Sequence, residues 1–265
     1  MLAQRPWLPD LENPAEAVVL SWPDAAALGL RVDGDPENEV LAHPELRQLA
    51  HPCDVGFIGK GNRIYVGNDC GWRGALLFEG DGGSAFIMGG QSIAAFSGTV
   101  YAGGTLVWGA RTNSFDVRLW VHGARTLTIG EDGLFSEHIT IRTSDHHSII
   151  DLSTGLPTNP PTDVTIGRHV WVGPETSILK GAQIGDGSII GCGSIVGRAV
   201  PARELWAGAP ARRIRKNVSW VGSLPADPHH VATLKQMGIA TEAYPRRRTW
   251  LERLRGLVTT AKSSA

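Results

Sequence analysis

Cysteine, charge and long apolar runs are all scarce in this chain. Of its 265 residues only Cys53, Cys70 and Cys192 are cysteines, an odd number with no CxxC spacing. That argues against a disulfide framework and a cysteine-built zinc site, and it favours a reducing cytoplasm. Charged residues are 19% of the chain, below a usual ~25%, and the net charge is −1. Binding of nucleic acid through bulk positive charge is therefore not expected. No apolar run approaches the ~18 residues of a membrane span. The opening MLAQRPWLPDLENP lacks the apolar stretch of a signal peptide.

What the chain does have is glycine, 33 residues of it. With few charges, that points to many tight turns rather than disorder. The charge is also uneven. Residues 1–54 hold ten acids and three bases, and residues 203–265 hold twelve bases and four acids. A basic end suits an anion such as a phosphate-bearing cofactor or a lipid headgroup, or is simply a solvated face.

From Thr165 an aliphatic residue recurs every six positions: Ile166, Val172, Ile178, Ile184, Ile190 and Val196. Glycine follows five of them, Leu179 being the exception. Four positions after each aliphatic stands a small or β-branched residue: Val170, Thr176, Ala182, Ser188, Ser194 and Val200. Neither a helix nor a hairpin sheet repeats every six residues. The pattern is that of a hexapeptide parallel β-helix, in which three strand-and-turn units close one coil of eighteen residues. One hexapeptide cannot bury its own aliphatic side chain, so stability requires stacked coils. Upstream, Ile129, Phe135 and Ile141 keep the register, and Ile58 and Ile64 hint at it. Residues 55–142 read as less regular coils of the same solenoid, for roughly seven or eight coils in all.

The register breaks between Ile141 and Ile166, where the polar TSDHHSIIDLSTGLPTNPPTD reads as a protruding loop over 143–163. Repeat scaffolds usually carry their chemistry on such insertions. The expected organisation is all-β: a cap segment at 1–54, a β-helix over 55–217, and a tail over 218–265. AGAPARRIRKNVSW should cap the far end of the solenoid. In the tail, Trp250, Leu251, Leu254 and Val258 would share a helical face ringed by arginines, suited to packing or to weak membrane-surface contact. Cys192, in IIGCGS, reads as a small core residue.

The stretch from about Ile129 to Lys216, with SDHHSIID, VWVG and AGAPARRIR, resembles the left-handed β-helix acyltransferases. The nearest resemblance is to the sugar and capsular-polysaccharide O-acetyltransferases. The resemblance implies a left-handed coil, acetyl-CoA as co-substrate, and a homotrimer with active sites between subunits. It makes His147 the general base, with Trp171 nearby and Asp145 as orienter or sugar ligand. His146 and Asp151 become candidate acceptor ligands. Gly173, Cys192, Gly197, Arg198, Arg212 and Arg215 fall at cofactor positions. Pro174 departs from the small polar residue often found after the VWVG motif. The chemistry agrees, since a neutral imidazole can take the proton of an acceptor hydroxyl near neutral pH. Three alternatives stand beside this reading. One is acetyl transfer to an amine. Another is a catalytically idle trimeric scaffold or glycan-binding module. The third is a zinc carbonic anhydrase on the same solenoid, whose ligand spacing His122, His138, His147 and His169 do not offer. No metal is expected.

Overall fold

The computed structural model describes residues 17–223 and 228–240, in two compact units divided after Trp220. The first unit is a left-handed parallel β-helix with three sides. One side is a single ladder that begins at Glu39–Ala42, Arg63–Val66 and Ser84–Ile87 and continues through Thr105–Trp108 and Thr126–Ile129. It ends with Val164–Ile166, Gln183–Ile184 and Ala199–Val200. Each neighbouring pair in this ladder is parallel. The second side carries Leu134–Phe135, Trp171–Val172, Ile189–Ile190 and Glu204–Ala207, and the third carries Ile139–Arg142, Ser177–Ile178 and Ile195–Val196.

The hexapeptide positions behave as their spacing predicts. Ile166, Val172, Ile178, Ile190 and Val196 are wholly buried, and so are Val170, Thr176, Ala182, Ser188 and Ser194. The buried hydroxyls are satisfied by backbone. Thr176 Oγ1 donates to the Gly173 carbonyl and Ser188 Oγ to that of Pro201, both at 2.8 Å. Glycine at the corners permits the close approach of successive coils. A Cβ on Gly109 would lie 2.3 Å from the backbone of Gly130, and one on Gly130 would lie 2.6 Å from that of Gly167.

The earlier coils are built to a different measure. Ile166 and Ile184 pair eighteen residues apart, but Ala85, Leu106 and Leu127 pair twenty-one apart. The extra length lies in Ala94–Tyr101 and Asn113–Val121, which cross a corner without breaking. Asn113–Val121 pairs with the second side through Asn113 and with the third through Val117, with a register shift between Ser114 and Val117. A wider coil leaves a wider interior, which aromatics fill. Trp72, Phe96, Trp108 and Phe135 form a continuous stack, with ring centroids 5.5, 4.2 and 5.6 Å apart.

Several expectations are corrected. Ile58 is 60% exposed and plays no part in the core; its neighbour Phe57 points inward. Cys192 is exposed at a corner rather than packed inside, because it follows the inward residue Ile190 by two positions and lies in the turn. The ladder also starts earlier than residue 55, since Leu30–Gly34 pairs in parallel with Cys53–Ile58. The open end is covered by Val18–Leu20, antiparallel to Glu39–Ala42, and by a short helix, Trp22–Ala27, capped by Ser21. At the far end Arg212–Lys216 folds back antiparallel on Glu204–Ala207.

In the second unit a helix, Pro228–Gln236, ends at Gly238, whose positive φ lets the N–H of Ile239 reach back to the Leu234 carbonyl. The arginine-ringed stretch with Trp250, Leu251, Leu254 and Val258 lies outside the described residues. Among the described residues no helix is long and apolar enough to cross a membrane.

Candidate active site

The insertion at 143–163 leaves the third side after Arg142 and rejoins the ladder at Val164, so it stands at one edge of the prism. It is a braced finger. Asn159 Nδ2 donates to Asp145 Oδ2 at 2.7 Å and to the His147 carbonyl at 2.9 Å. Asn159 Oδ1 accepts the Ile149 N–H at 2.7 Å. Lys180 anchors the base of the finger, pairing with Asp145 at 2.6 Å and donating to the Asn159 carbonyl at 2.8 Å. The Lys180 ammonium, then Asn159, holds the Asp145 carboxyl below its ordinary range. Asp145 therefore holds Asn159, which in turn fixes the His147 carbonyl and the Ile149 N–H. Among the described residues nothing hydrogen-bonds the exposed imidazole of His147.

Asp151 is committed to the tip of the finger. It accepts from the hydroxyl and N–H of Ser153 and from the N–H of Thr154, which keep its carboxyl below the usual range. That is the work of an Asx turn.

His146 is exposed and lies along the edge toward the neighbouring coil, with a φ of 66°. Its Nδ1 lies 3.0 Å from His122 Nε2. Tyr101 stacks on His122 at 3.5 Å, and the edge of His146 meets Trp120 at 6.0 Å. Burial, then the neighbouring His146, pushes His122 down to about 4. Burial, then the charge of Arg142, lowers His146 as well. Two neutral rings can share one N–H across 3.0 Å, whereas two protonated rings would set donor against donor.

A pH prediction follows. His122 binds its proton in the unfolded chain near its ordinary 6.5 but in the folded chain only near 4. Between those values the unfolded state holds more protons, so stability should fall as pH drops from about 6.5 to about 4. Thermal melts of His122→Phe, which keeps the stack on Tyr101, should show a shallower fall over that window. Equal slopes for the variant and the wild type would refute this origin.

Trp171 sits elsewhere. It is on the second side, 38% exposed, between Leu134 and Ile189 in the ladder. Its ring faces Trp220 at 6.3 Å. Trp220 stacks on His169 at 4.4 Å; its indole N–H donates to the His169 carbonyl at 2.9 Å, and His169 Nε2 donates back to the Trp220 carbonyl at 3.0 Å. No contact links Trp171 with His147 among the described residues.

The expected cofactor positions divide the same way. Gly197 and Arg198 occupy the edge from which the finger springs. Gly173 and Cys192 share the next corner, in successive coils. Arg212 and Arg215 extend the second side as an exposed terminal strand. Sequence reasoning missed Asn159, Lys180, the His122–His146 pair and Trp220. One signal was available, since Leu179–Lys180 is where the glycine that follows each aliphatic is missing.

Comparison with known proteins places these features. Residues 163–198 match the family model described as bacterial transferase hexapeptide, six repeats. A polysialic acid O-acetyltransferase of Neisseria meningitidis is 28% identical over 134 residues, half of this chain and 62% of that one. A polysialic acid O-acetyltransferase of Escherichia coli O1:K1 is 36% identical over 94 residues, 36% of this chain and 31% of that one. The chain thus spans between about a third and three fifths of the length of these relatives. The crystal structure of the polySia-specific acetyltransferase NeuO aligns at TM-score 0.68 and 25% identity, over 79% of this chain and 99% of that one.

Proposed function

We propose that the chain, whose residues 163–198 match the bacterial hexapeptide transferases, is an O-acetyltransferase that moves acetyl from acetyl-CoA to a saccharide hydroxyl. The observation that carries this reading is the braced finger, which fixes the backbone at His147 and leaves the imidazole open to a substrate. The neutral imidazole takes the proton from the acceptor hydroxyl as the oxygen attacks, and returns it to the departing sulfur. No covalent enzyme intermediate is required. Bound acetyl-CoA supplies an activated thioester.

The residues present suit that co-substrate. Arg198, Arg212 and Arg215 are exposed cations, and planar guanidinium groups match phosphate oxygens. Gly173 and Cys192, at the next corner, are assigned to the pantetheine arm; a Cβ on Gly173 would stand 2.8 Å from the Cys192 amide, so glycine there serves the close stacking of the two coils. Trp171 is assigned a place beside the reacting atoms, and His146 a contact to the acceptor. Asp151 is assigned to shaping the finger rather than to contacting sugar.

The parts are divided between two edges of one prism. A homotrimer, with the finger of one subunit reaching the Trp171 side of the next, would unite them. Ile149, Ile150, Leu152 and Leu156 support this, being apolar and 47–97% exposed on the finger. Three free thiols, Cys192 exposed among them, suit a cytoplasmic setting.

The test is release of CoA thiol from acetyl-CoA by the wild-type protein, with a panel of saccharide hydroxyl and amine acceptors. Saccharide-dependent release supports the reading. Release with amines alone would make it an N-acetyltransferase, and no binding of acetyl-CoA would leave a trimeric scaffold.

A further inference from the structure

At the edge where the finger leaves the solenoid, a column of rings climbs from coil to coil. Tyr101 ends the strand Ala94–Tyr101, and His122 follows Asn113–Val121, the strand paired beside it. The two rings therefore stand at the same place in successive coils, and they stack at 3.5 Å with their planes 14° apart. The backbone of His122 is pinned to the root of the finger. Its N–H donates at 2.8 Å to Oγ1 of Thr143, which is wholly buried. With its backbone held on one rung and its ring on the rung before, His122 has little freedom left.

His146 completes the column from the finger. Its φ of 66° lies in the left-handed region, which a residue with a Cβ seldom occupies. Its N–H donates at 3.1 Å to Oγ of the buried Ser144. Such a backbone persists where its surroundings over-determine it, and such places cluster at functional sites. Here the turn brings the ring of His146 back to the column, where its Nδ1 meets His122 Nε2 at 3.0 Å with the two planes 84° apart. The adjacent histidines thus differ. His147 has an unbonded ring, whereas His146 is exposed but held.

The hydrogen bond also selects a tautomer. Burial lowers both rings, so both are neutral at neutral pH and share one N–H. The bond that one nitrogen makes decides whether the other carries the proton. If His122 Nε2–H donates to His146 Nδ1, each ring carries its proton on Nε2, the ordinarily favoured form of a neutral histidine. The reverse arrangement puts both rings in the less favoured Nδ1–H form. Among the described residues nothing bonds His146 Nε2. A neutral N–H of fixed direction therefore stands at the root of the finger, one residue from His147. A phenylalanine would serve the stack on Tyr101 equally well; only a nitrogen at position 122 fixes the proton on His146.

We infer that His122 is a positioning residue of the transfer site: it fixes the ring and the tautomer of His146, so that His146 Nε2–H is held out as a donor to an oxygen of the acceptor beside the hydroxyl that His147 deprotonates. The inference rests on the acetyl transfer proposed above and adds to it a residue one coil away from the finger. A donor set before the acceptor arrives spares the ordering of a free ring on binding.

The first test needs no substrate. Spectra of the full-length protein labelled with ¹⁵N-histidine report the tautomer of each ring at neutral pH, and His146→Gln identifies the signals of His146. In the wild type His146 should be a single Nε2–H tautomer. In His122→Phe, which keeps the stack, it should become a mixture of both. His122→Gln, whose amide N–H can reach the same atom, should restore the single form. The second test is steady-state kinetics with acetyl-CoA and, as acceptors, methyl β-galactoside, maltotriose and an α2,8-linked sialic acid trimer. For the acceptor used fastest, His122→Phe should raise the acceptor KM about tenfold, the scale of one hydrogen bond. The change in kcat should be smaller, and the KM for acetyl-CoA should not move. His146→Ala should do as much, the double variant no more than either, and His122→Gln should recover most of the loss. Thermal melts establish folding; should His122→Phe fail to fold, the wild-type spectrum and His146→Ala, at an exposed position, carry the test. A His146 in the Nδ1–H form or in a mixture in the wild type overturns the inference. So does a tautomer unchanged in folded His122→Phe, or additive effects of the two substitutions. Absence of both turnover and acetyl-CoA binding would defeat the proposed transfer, and the spectra would still decide whether His122 orients His146.

Discussion

His147→Ala should lower acceptor-dependent thiol release by about 10²- to 10⁴-fold, the range of a lost general base. The expectation is sharp because little else should change. The His147 ring is exposed and without a hydrogen-bond partner among the described residues, so its removal costs no packing and strands no polar group. The melting temperature should be that of the wild type, since such surface changes stay within about 0.5 kcal/mol. Binding of CoA should also be retained, because the expected phosphate ligands lie on Arg198 and on the terminal strand with Arg212 and Arg215. The finger keeps its shape, since Asn159 grips the carbonyl at position 147 and not the side chain. A loss confined to the rate, at unchanged stability and CoA affinity, is the signature of a group acting on the reacting atoms. Retention of more than a tenth of the rate would remove His147 from the mechanism.

Trp108→Ala is expected to have the largest effect on stability, about 3–5 kcal/mol. Trp108 is wholly buried, stacked on Phe96 and tilted against Phe135, and its indole N–H donates to the Thr112 carbonyl at 3.0 Å. The side chain spans the interior of a coil wider than a hexapeptide coil, and no neighbour can collapse into its place. Removing it opens a cavity and leaves the Thr112 carbonyl without this donor. Denaturant unfolding should show a lower midpoint, and Trp108→Phe should recover part of the loss. A change under 1 kcal/mol would mean that the early coils do not depend on their aromatic stack.

The two halves of the solenoid were not equally legible in the sequence. Where coils hold eighteen residues, Ile, Val, Gly and small hydroxyl residues repeat, because an inward aliphatic and a tight corner recur at each side. Where coils hold twenty-one, a strand such as Asn113–Val121 runs over a corner and replaces two short strands by one long one. The six-residue period then disappears although the ladder does not. Ile58 misled for this reason: it has the glycine and the spacing, but it ends a six-residue strand whose alternation turns it outward. Cys192 misled because a small residue next to a glycine can equally be a turn.

The candidate site divides similarly. SDHHSIID marked the finger, since a polar insertion with adjacent histidines interrupts an otherwise regular repeat; the choice of His147 over His146 came from the family resemblance. Local sequence also accounts for the tip, where Asp151 and Ser153 form their own turn. Asp145 was noticed, but its partners Asn159 and Lys180 lie fourteen and thirty-five positions away and meet it only because the chain returns to the same edge.

By itself, then, the sequence determined the repeat, the inward-facing residues of the regular coils, the interrupting finger and the adjacent histidines upon it. Those properties depend on neighbours within one strand and one turn, and a period of six states them locally. The tertiary structure alone decided the width of the early coils, the pairing of His122 with His146 and the separation of Trp171 from His147. Each joins residues from different coils. A solenoid brings positions about a coil length apart into contact through its ladder, and the length of each coil, which sets the partners, is a property of the stacked whole.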